Sequence, residues 1–176
     1  MILIKQFLHS IKCLKCILLK GSLSNINMKV IIQRVTQACC VVDNKITGQI
    51  EQGLMLLIGF GVSDENIKKE TLLKMGKKIA NLRIFSDDTG KMNLSIQNIG
   101  GKVLAISQFT LYANPYDGNR PSFTEACNPT QANELYLEFL EILEKEYHLI
   151  VEKGIFQKDM QINMTCDGPV TITLEY

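Results

Sequence analysis

Histidine is nearly missing from this sequence and tryptophan is missing altogether: 176 residues carry two histidines, His9 and His148. A serine or cysteine nucleophile activated by an imidazole needs a histidine beside it, so that class of hydrolase has only two starting points. His148 follows a stretch with helical periodicity, where a cationic side chain favours the helix dipole without taking part in chemistry. Long apolar runs are missing too. Lysines interrupt every candidate stretch before the roughly 20 residues that a helix needs to span a bilayer, so no helical membrane span is expected. No G-x-G-x-x-G loop joins a strand to a helix. Gly59-Phe60-Gly61 and Gly100-Gly101 read as turns, and nothing points to a nucleotide cofactor. The six cysteines, at positions 13, 16, 39, 40, 127 and 166, follow no secreted-scaffold spacing, so reduced thiols in a cytosol-like compartment are expected. Cys13-Leu14-Lys15-Cys16 is half of a metal motif without a second CxxC or a histidine pair, and no metal site is expected.

Acidic residues are absent from the beginning of the chain. Residues 1–27 hold four lysines and no carboxylate, and the first acid is Asp43. Residues 28–176 therefore carry 15 basic and 18 acidic groups, a formal charge of −3 that the near-neutral total of +1 conceals. The basic, acid-free, partly amphipathic opening has features of an organelle-targeting peptide, but it lacks arginine and an obvious small-residue cleavage site. The other reading takes Met28 as the true start. We expect an N-terminal extension over residues 1–27, disordered, and one globular domain over 28–176, to which an apolar content of 46% is suited. The expected location is cytoplasmic, or an organelle if the extension is a targeting peptide.

What is present is mostly strand. Lys29–Val35, Ala38–Asp43 and Ile46–Ile50 are β-branched segments with turn residues after them, and the apolar run Leu54–Ile58 suits a central strand. Ser63 or Asp64 is expected to cap a helix to about Asn81, with Ile67, Leu72, Met75 and Ile79 on one face. After a short strand at Arg83–Phe85 and turn chemistry over Ser86–Lys91, Lys102–Gln108 returns as a strand. A long loop over 113–130 precedes a second helix, expected to start with Thr130 as cap and to bury Leu135, Phe139, Ile142 and Leu143. Leu149–Glu152, Met160–Cys166 and Val170–Glu175 close the chain as strands. The expected class is α+β, with a largely antiparallel, barrel-like sheet and two main helices.

Two strings carry chemical interest. Ser107-Gln108-Phe109-Thr110-Leu111 offers backbone donors and hydroxyls at a strand end, and Cys166-Asp167-Gly168-Pro169-Val170-Thr171 offers a rigid main-chain hook. Each alone also reads as ordinary structure, the first as a strand end and the second as a tight turn.

Together they resemble one family, the D-aminoacyl-tRNA deacylases. The likeness runs from Val30-Ile31-Ile32-Gln33-Arg34-Val35 through Ser107–Leu111, Gly118-Asn119-Arg120-Pro121-Ser122-Phe123 and Gly154-Ile155-Phe156 with Asp159-Met160, and ends at Gly168-Pro169-Val170-Thr171. Residues 1–27 have no counterpart in it. The resemblance implies hydrolysis of the ester joining a D-amino acid to tRNA, without metal or cofactor, by a homodimer that captures the single-stranded acceptor end. It implies that a cis Gly168-Pro169 unit of one subunit enters the site of the other, where main-chain carbonyls leave room only for hydrogen on the substrate α-carbon. Glycyl-tRNA would pass the same test. Ser107, Gln108, Phe109 and Thr110 form the implied catalytic set, with N–H groups near Gln108 and Phe109 stabilising the oxyanion. Attack by water assisted by the ribose 2′-hydroxyl is preferred to attack by Thr110, because no base is evident for the threonine. Arg34 is implied to support the Gly-Pro unit, against a bland reading as a surface arginine on an edge strand. Cys166 departs from the family, which generally has asparagine there to brace the turn. Lys74, Lys77 and Lys78 are candidates for a tRNA-facing patch, or simply a solvated helix face. Two alternatives stand: a non-enzymatic nucleic-acid-binding relative, and a sister deacylase tolerating small L-amino acids, whose first string usually departs from Ser-Gln-Phe-Thr-Leu.

Overall fold

The computed structural model describes residues 28–176 apart from Asp117; the extension expected over residues 1–27, with His9, Cys13 and Cys16, lies outside them. The β-branched segments at the start do not form two strands but one, β1 (Lys29–Val42). Val30, Ile32 and Arg34 point inward in its first half and Ala38, Cys40 and Val42 in its second, with Thr36 and Gln37 exposed where the register shifts. Asp43 and Asn44, both at positive φ, turn the chain into β2 (Lys45–Ile50), the conformation that a two-residue hairpin demands. The first half of β1 pairs with β3 (Gly53–Gly59), the second half with β2, and both halves with the final strand β8 (Gln161–Glu175).

Two sheet pairings depart from the antiparallel expectation. β3 runs parallel to β6 (Lys102–Ser107), and β6 runs parallel to β7 (Ile150–Lys153). The reason lies in the connections. Helix α1 (Lys69–Asn81) leads from β3 toward β6 and α2 (Pro129–Lys145) from β6 to β7, and a helical crossover is the ordinary way to bring two strands back parallel. The sheet order is β2-β1-β3-β6-β7 with β8 beside β1; β2 comes back against β7, so the sheet nearly closes into a barrel. A small hairpin of β4 (Phe85–Ser86) and β5 (Met92–Leu94) stands apart.

Each helix begins differently from expectation. Asp64 caps no long helix: its carboxylate accepts the Gly61 N–H at 2.6 Å inside a 3-10 turn over Val62–Asn66, and the chain extends at Ile67 and Lys68 before α1 starts. In α2 the cap is Asn128, whose side chain accepts the Thr130 N–H at 3.0 Å, with Pro129 in the first helical position where its missing donor costs nothing. Leu72, Met75 and Ile79 of α1 meet Tyr136, Phe139, Leu140 and Leu143 of α2 in the larger core, between the helices and the sheet. Phe139 is wholly buried there, and truncating such a ring to alanine costs about 3–5 kcal/mol. A second core of Val35, Ala38, Cys40, Met55, Leu104 and Ile106 fills the other side of the curled sheet.

Candidate active site

The last residue of β6, Ser107, pairs with Ile58, and the next residue sends its N–H to the Ile58 carbonyl at 2.7 Å. Gln108 is thus the last residue held by the sheet. Phe109–Tyr112 then turn as a 3-10 helix, with the Ala113 N–H bonding the Thr110 carbonyl at 3.0 Å. Close approach at this point requires glycine: a Cβ on Gly59 would lie 2.7 Å from the Gln108 carbonyl oxygen. The geometry separates the N–H groups of this string. The Gln108 N–H is committed to the sheet, whereas the N–H groups of Phe109 and Thr110 open the 3-10 turn, where no helical carbonyl precedes them. Thr110 is exposed, and its hydroxyl accepts a hydrogen bond from the Gln108 side-chain amide at 2.5 Å. An amide donor does not take a proton from the threonine, so this contact gives Thr110 no base.

Ser107, Gln108 and Phe109 line a cavity of about 1040 Å³ between the end of β3, the loop before α2 and residues 156–160. Phe109 and Phe123 meet edge to face at its wall, with ring centroids 5.1 Å apart, and both remain substantially exposed. Phe123 is delivered by the Gly118–Phe123 loop, which Asn114 and Ser122 pin through reciprocal main-chain bonds of 2.8 and 3.0 Å. Across the cavity Phe156 leans on Tyr136, whose buried hydroxyl donates to the Ala105 carbonyl at 2.9 Å. Burial pushes the Tyr136 hydroxyl well above its ordinary range, so it stays a neutral donor.

The second string is not a turn between two strands. It is a bulge within β8: Gln33 pairs with Thr171 and Val35 with Cys166, so residues 167–170 project opposite Arg34 alone. Gly168 sits at φ +111°, where other residues are strained, and the Gly168-Pro169 bond is cis as the resemblance implies. Arg34 is buried rather than on the surface. Its Nε lies 3.0 Å from an Asp167 carboxylate oxygen and 3.3 Å from the Asp167 carbonyl, and Nη1 donates to the Ile84 carbonyl. The guanidinium thereby ties the bulge to the chain before β4. Cys166 is exposed and pairs with Val35 through the ladder, so the bracing sought at position 166 is supplied by Arg34 and Asp167.

The two strings do not meet within one chain. Arg34, Cys166, Gly168 and Pro169 are not among the residues lining the cavity. Counted through the ladders, the bulge lies three strands over from β6 and four residues along from Ser107, which is roughly 20 Å at ordinary strand spacing.

The family model described as D-Tyr-tRNA(Tyr) deacylase matches residues 31–175. The chain belongs to this family. A D-aminoacyl-tRNA deacylase of Deinococcus radiodurans is 49% identical over 148 residues, which cover 84% of this chain and 99% of that relative. A solved structure named "c-Myc DNA Unwinding Element Binding Protein" is 37% identical with a TM-score of 0.77, covering 84% of this chain and 98% of that one. A second, titled "Structural Analysis of a probable eukaryotic D-amino acid tRNA deacylase", is 16% identical with a TM-score of 0.75, covering 85% and 100%, and shows the shared fold.

Three residues of this arrangement are not legible in the sequence as parts of it: Asp167, Phe123 and Phe156. By its sequence Asp167 reads only as part of a turn, because nothing local shows that its partner lies 133 residues earlier. Phe123 and Phe156 carry part of the family likeness, and only the structure places them in the cavity wall. Other candidates recede: His148 is exposed at φ +54° and away from the cavity lining, and Lys74 pairs with Glu70 at 2.7 Å while Lys77 and Lys78 stay exposed. Among the described residues no group of three or more His, Cys, Asp or Glu is positioned to hold a metal ion.

Proposed function

We infer that this chain works as a homodimer in which each D-aminoacyl-tRNA site is assembled from both subunits. The reaction follows from the family: the ester of D-aminoacyl-tRNA is hydrolysed, releasing the D-amino acid and tRNA. The observation that supports a shared site is the separation of roughly 20 Å between Ser107 and the bulge, combined with the exposure of Gly168 and Pro169. A second copy that sets its bulge against the cavity beside Phe109 closes the gap.

In that arrangement the carbonyl groups of Gly168 and Pro169 crowd one face of the substrate α-carbon. Hydrogen fits there and an L side chain does not. Glycine has no side chain to reject, so glycyl-tRNA is also a substrate. Water attacks the ester carbonyl carbon, the bond to the terminal ribose oxygen breaks, and the neighbouring 2′-hydroxyl relays a proton to the leaving oxygen. The N–H groups of Phe109 and Thr110 are the donors assigned to the oxyanion, each worth about 3 kcal/mol in comparable sites. The hydrogen bond from Gln108 to Thr110 favours water over threonine as the nucleophile. No metal or cofactor enters these steps.

The test is deacylation of matched D- and L-tyrosyl-tRNA, expected to proceed rapidly on the D form alone. Equal rates on both overturn the chiral reading. The mechanism has its own check: Thr110→Ala should keep most of its turnover while a 2′-deoxy substrate slows, and the reverse pattern assigns attack to Thr110. The 37% identical DNA-unwinding-element-binding protein favours a second reading, binding of nucleic acid without chemistry. Tight DNA binding with no hydrolysis of D-tyrosyl-tRNA would select it, although the charge of −3 over residues 28–176 weighs against broad contact with a phosphate backbone.

A further inference from the structure

Asp64 is completely buried in the 3-10 turn that follows β3. Its Oδ2 accepts the Gly61 N–H at 2.6 Å and lies 3.4 Å from the Tyr112 hydroxyl, and the main-chain nitrogen of Met28 faces the carboxyl group. Its Oδ1 has no hydrogen-bond partner among the described residues. A buried carboxylate ordinarily has a cation beside it, because neutral donors compensate only part of the lost hydration. Among the described residues, the ion pairs formed by lysine or arginine all go to other acids. Lys29 is the neighbour of Met28, but its Nζ is turned to the Leu111 carbonyl at 3.4 Å and lies 4.7 Å from the centre of the Tyr112 ring. The remaining titratable groups around Asp64 and Tyr112 are Glu65, Cys127 and Glu175, none of which brings positive charge. Burial pushes the Asp64 carboxyl up to about 6.

We propose that Asp64 is a receptor for the free α-ammonium group of Met28, so that the finished domain contains a buried ion pair between its own chain end and this carboxylate. Met28 is itself fully buried, and its carbonyl accepts the Tyr176 N–H at 3.2 Å, which ties the residue to the end of β8. With a residue before it, that nitrogen is a neutral amide with one proton. As a chain end it carries three protons and a full charge at the same place, enough to satisfy both carboxylate oxygens. The pair reaches the reaction site, because Tyr112 ends the 3-10 turn that begins at Phe109. The inference does not rest on the deacylase reading, and its readouts are chemical and thermal.

Four proteins decide it: chains beginning at Met1 and at Met28, each with and without Asp64→Asn. The shorter form is a whole family domain, since the Deinococcus relative is matched over 99% of its length. At pH 7.5 the chain from Met28 should melt about 5–10 °C above the chain from Met1, and Asp64→Asn should remove most of that difference. Equal melting of the two parents, or equal losses from Asp64→Asn in both, overturns the proposal. A pH series gives the sign. In the longer chain the carboxyl is raised in the folded state, so its stabilising effect is present below about 3.8 and is lost as pH rises through about 6; the chain from Met28, with a fixed cation beside the carboxylate, should show no such loss. If Asp64→Asn does not fold, labelling of the α-amine in the parent chain from Met28 replaces it. At pH 7.5 the rate should be at least about tenfold below that of a free peptide amine, and labelling at the free rate overturns the proposal. N-terminal sequencing of the protein from its native cell should begin at Met28, and a terminus that retains residues 1–27 overturns it.

Discussion

Ser107 to Thr110 is placed by main-chain pairing to β3 and by aromatic packing, whereas Gly168-Pro169 projects from an edge strand and is tied down by one buried arginine. The first region inherits its position from the centre of the sheet. The second depends on a side chain reaching across a bulge where the ladder has lost its register. On the proposed reading such a division suits two tasks, since a reaction centre needs fixed donors and a steric filter in a dimer needs a shape that stands clear of its own subunit.

Separate substitutions should break the two regions in different ways. The largest effect is expected from Gly59→Ala, because the new methyl group would sit 2.7 Å from the Gln108 carbonyl and displace the first string. Turnover on D-tyrosyl-tRNA should fall at least tenfold, with a stability cost of about 1–3 kcal/mol and preserved preference for D over L. Steady-state kinetics on both substrates, with a thermal melt, check it. Arg34→Met comes next. It leaves the half-exposed Asp167 and the Ile84 carbonyl without their donor, which should cost about 2 kcal/mol and lower D-over-L preference more than D turnover. Equal loss of turnover and preference would mean that the bulge is not the filter. The smallest effect belongs to Cys166→Asn, expected to change stability by less than about 0.5 kcal/mol and to leave both activities as they were, because Arg34 and Asp167 already brace the bulge. A gain in preference would show that bracing at 166 adds to theirs.

Local pattern was a good guide where one element decides its own form. The periodicity that marks Leu72, Met75 and Ile79, and Phe139, Ile142 and Leu143, identifies the buried faces of both helices. It was a poor guide at helix starts, where Asp64 and Thr130 looked like caps but Lys68 and Asn128 precede the helices. Short polar residues suit caps and 3-10 turns alike, so their neighbours in space choose between them. The largely antiparallel sheet is as expected, but the two parallel pairings are not legible in the sequence: the crossover role of the helices shows only once β3, β6 and β7 are seen side by side.

The sequence by itself determined most of the elements and, through its ordered strings, the family. Tertiary structure alone decided that β3, β6 and β7 run parallel, that Arg34 is buried against Asp167, that Asp64 is buried with no lysine or arginine paired to it among the described residues, and that the two strings stand roughly 20 Å apart in one chain. The physical reason is common to all four. Alternation and helical period record which side of an element avoids water, but a charge's burial and a strand's partner depend on distant residues: Asp167 lies 133 positions from Arg34, and Glu175 pairs with Lys29 from the far end of the domain.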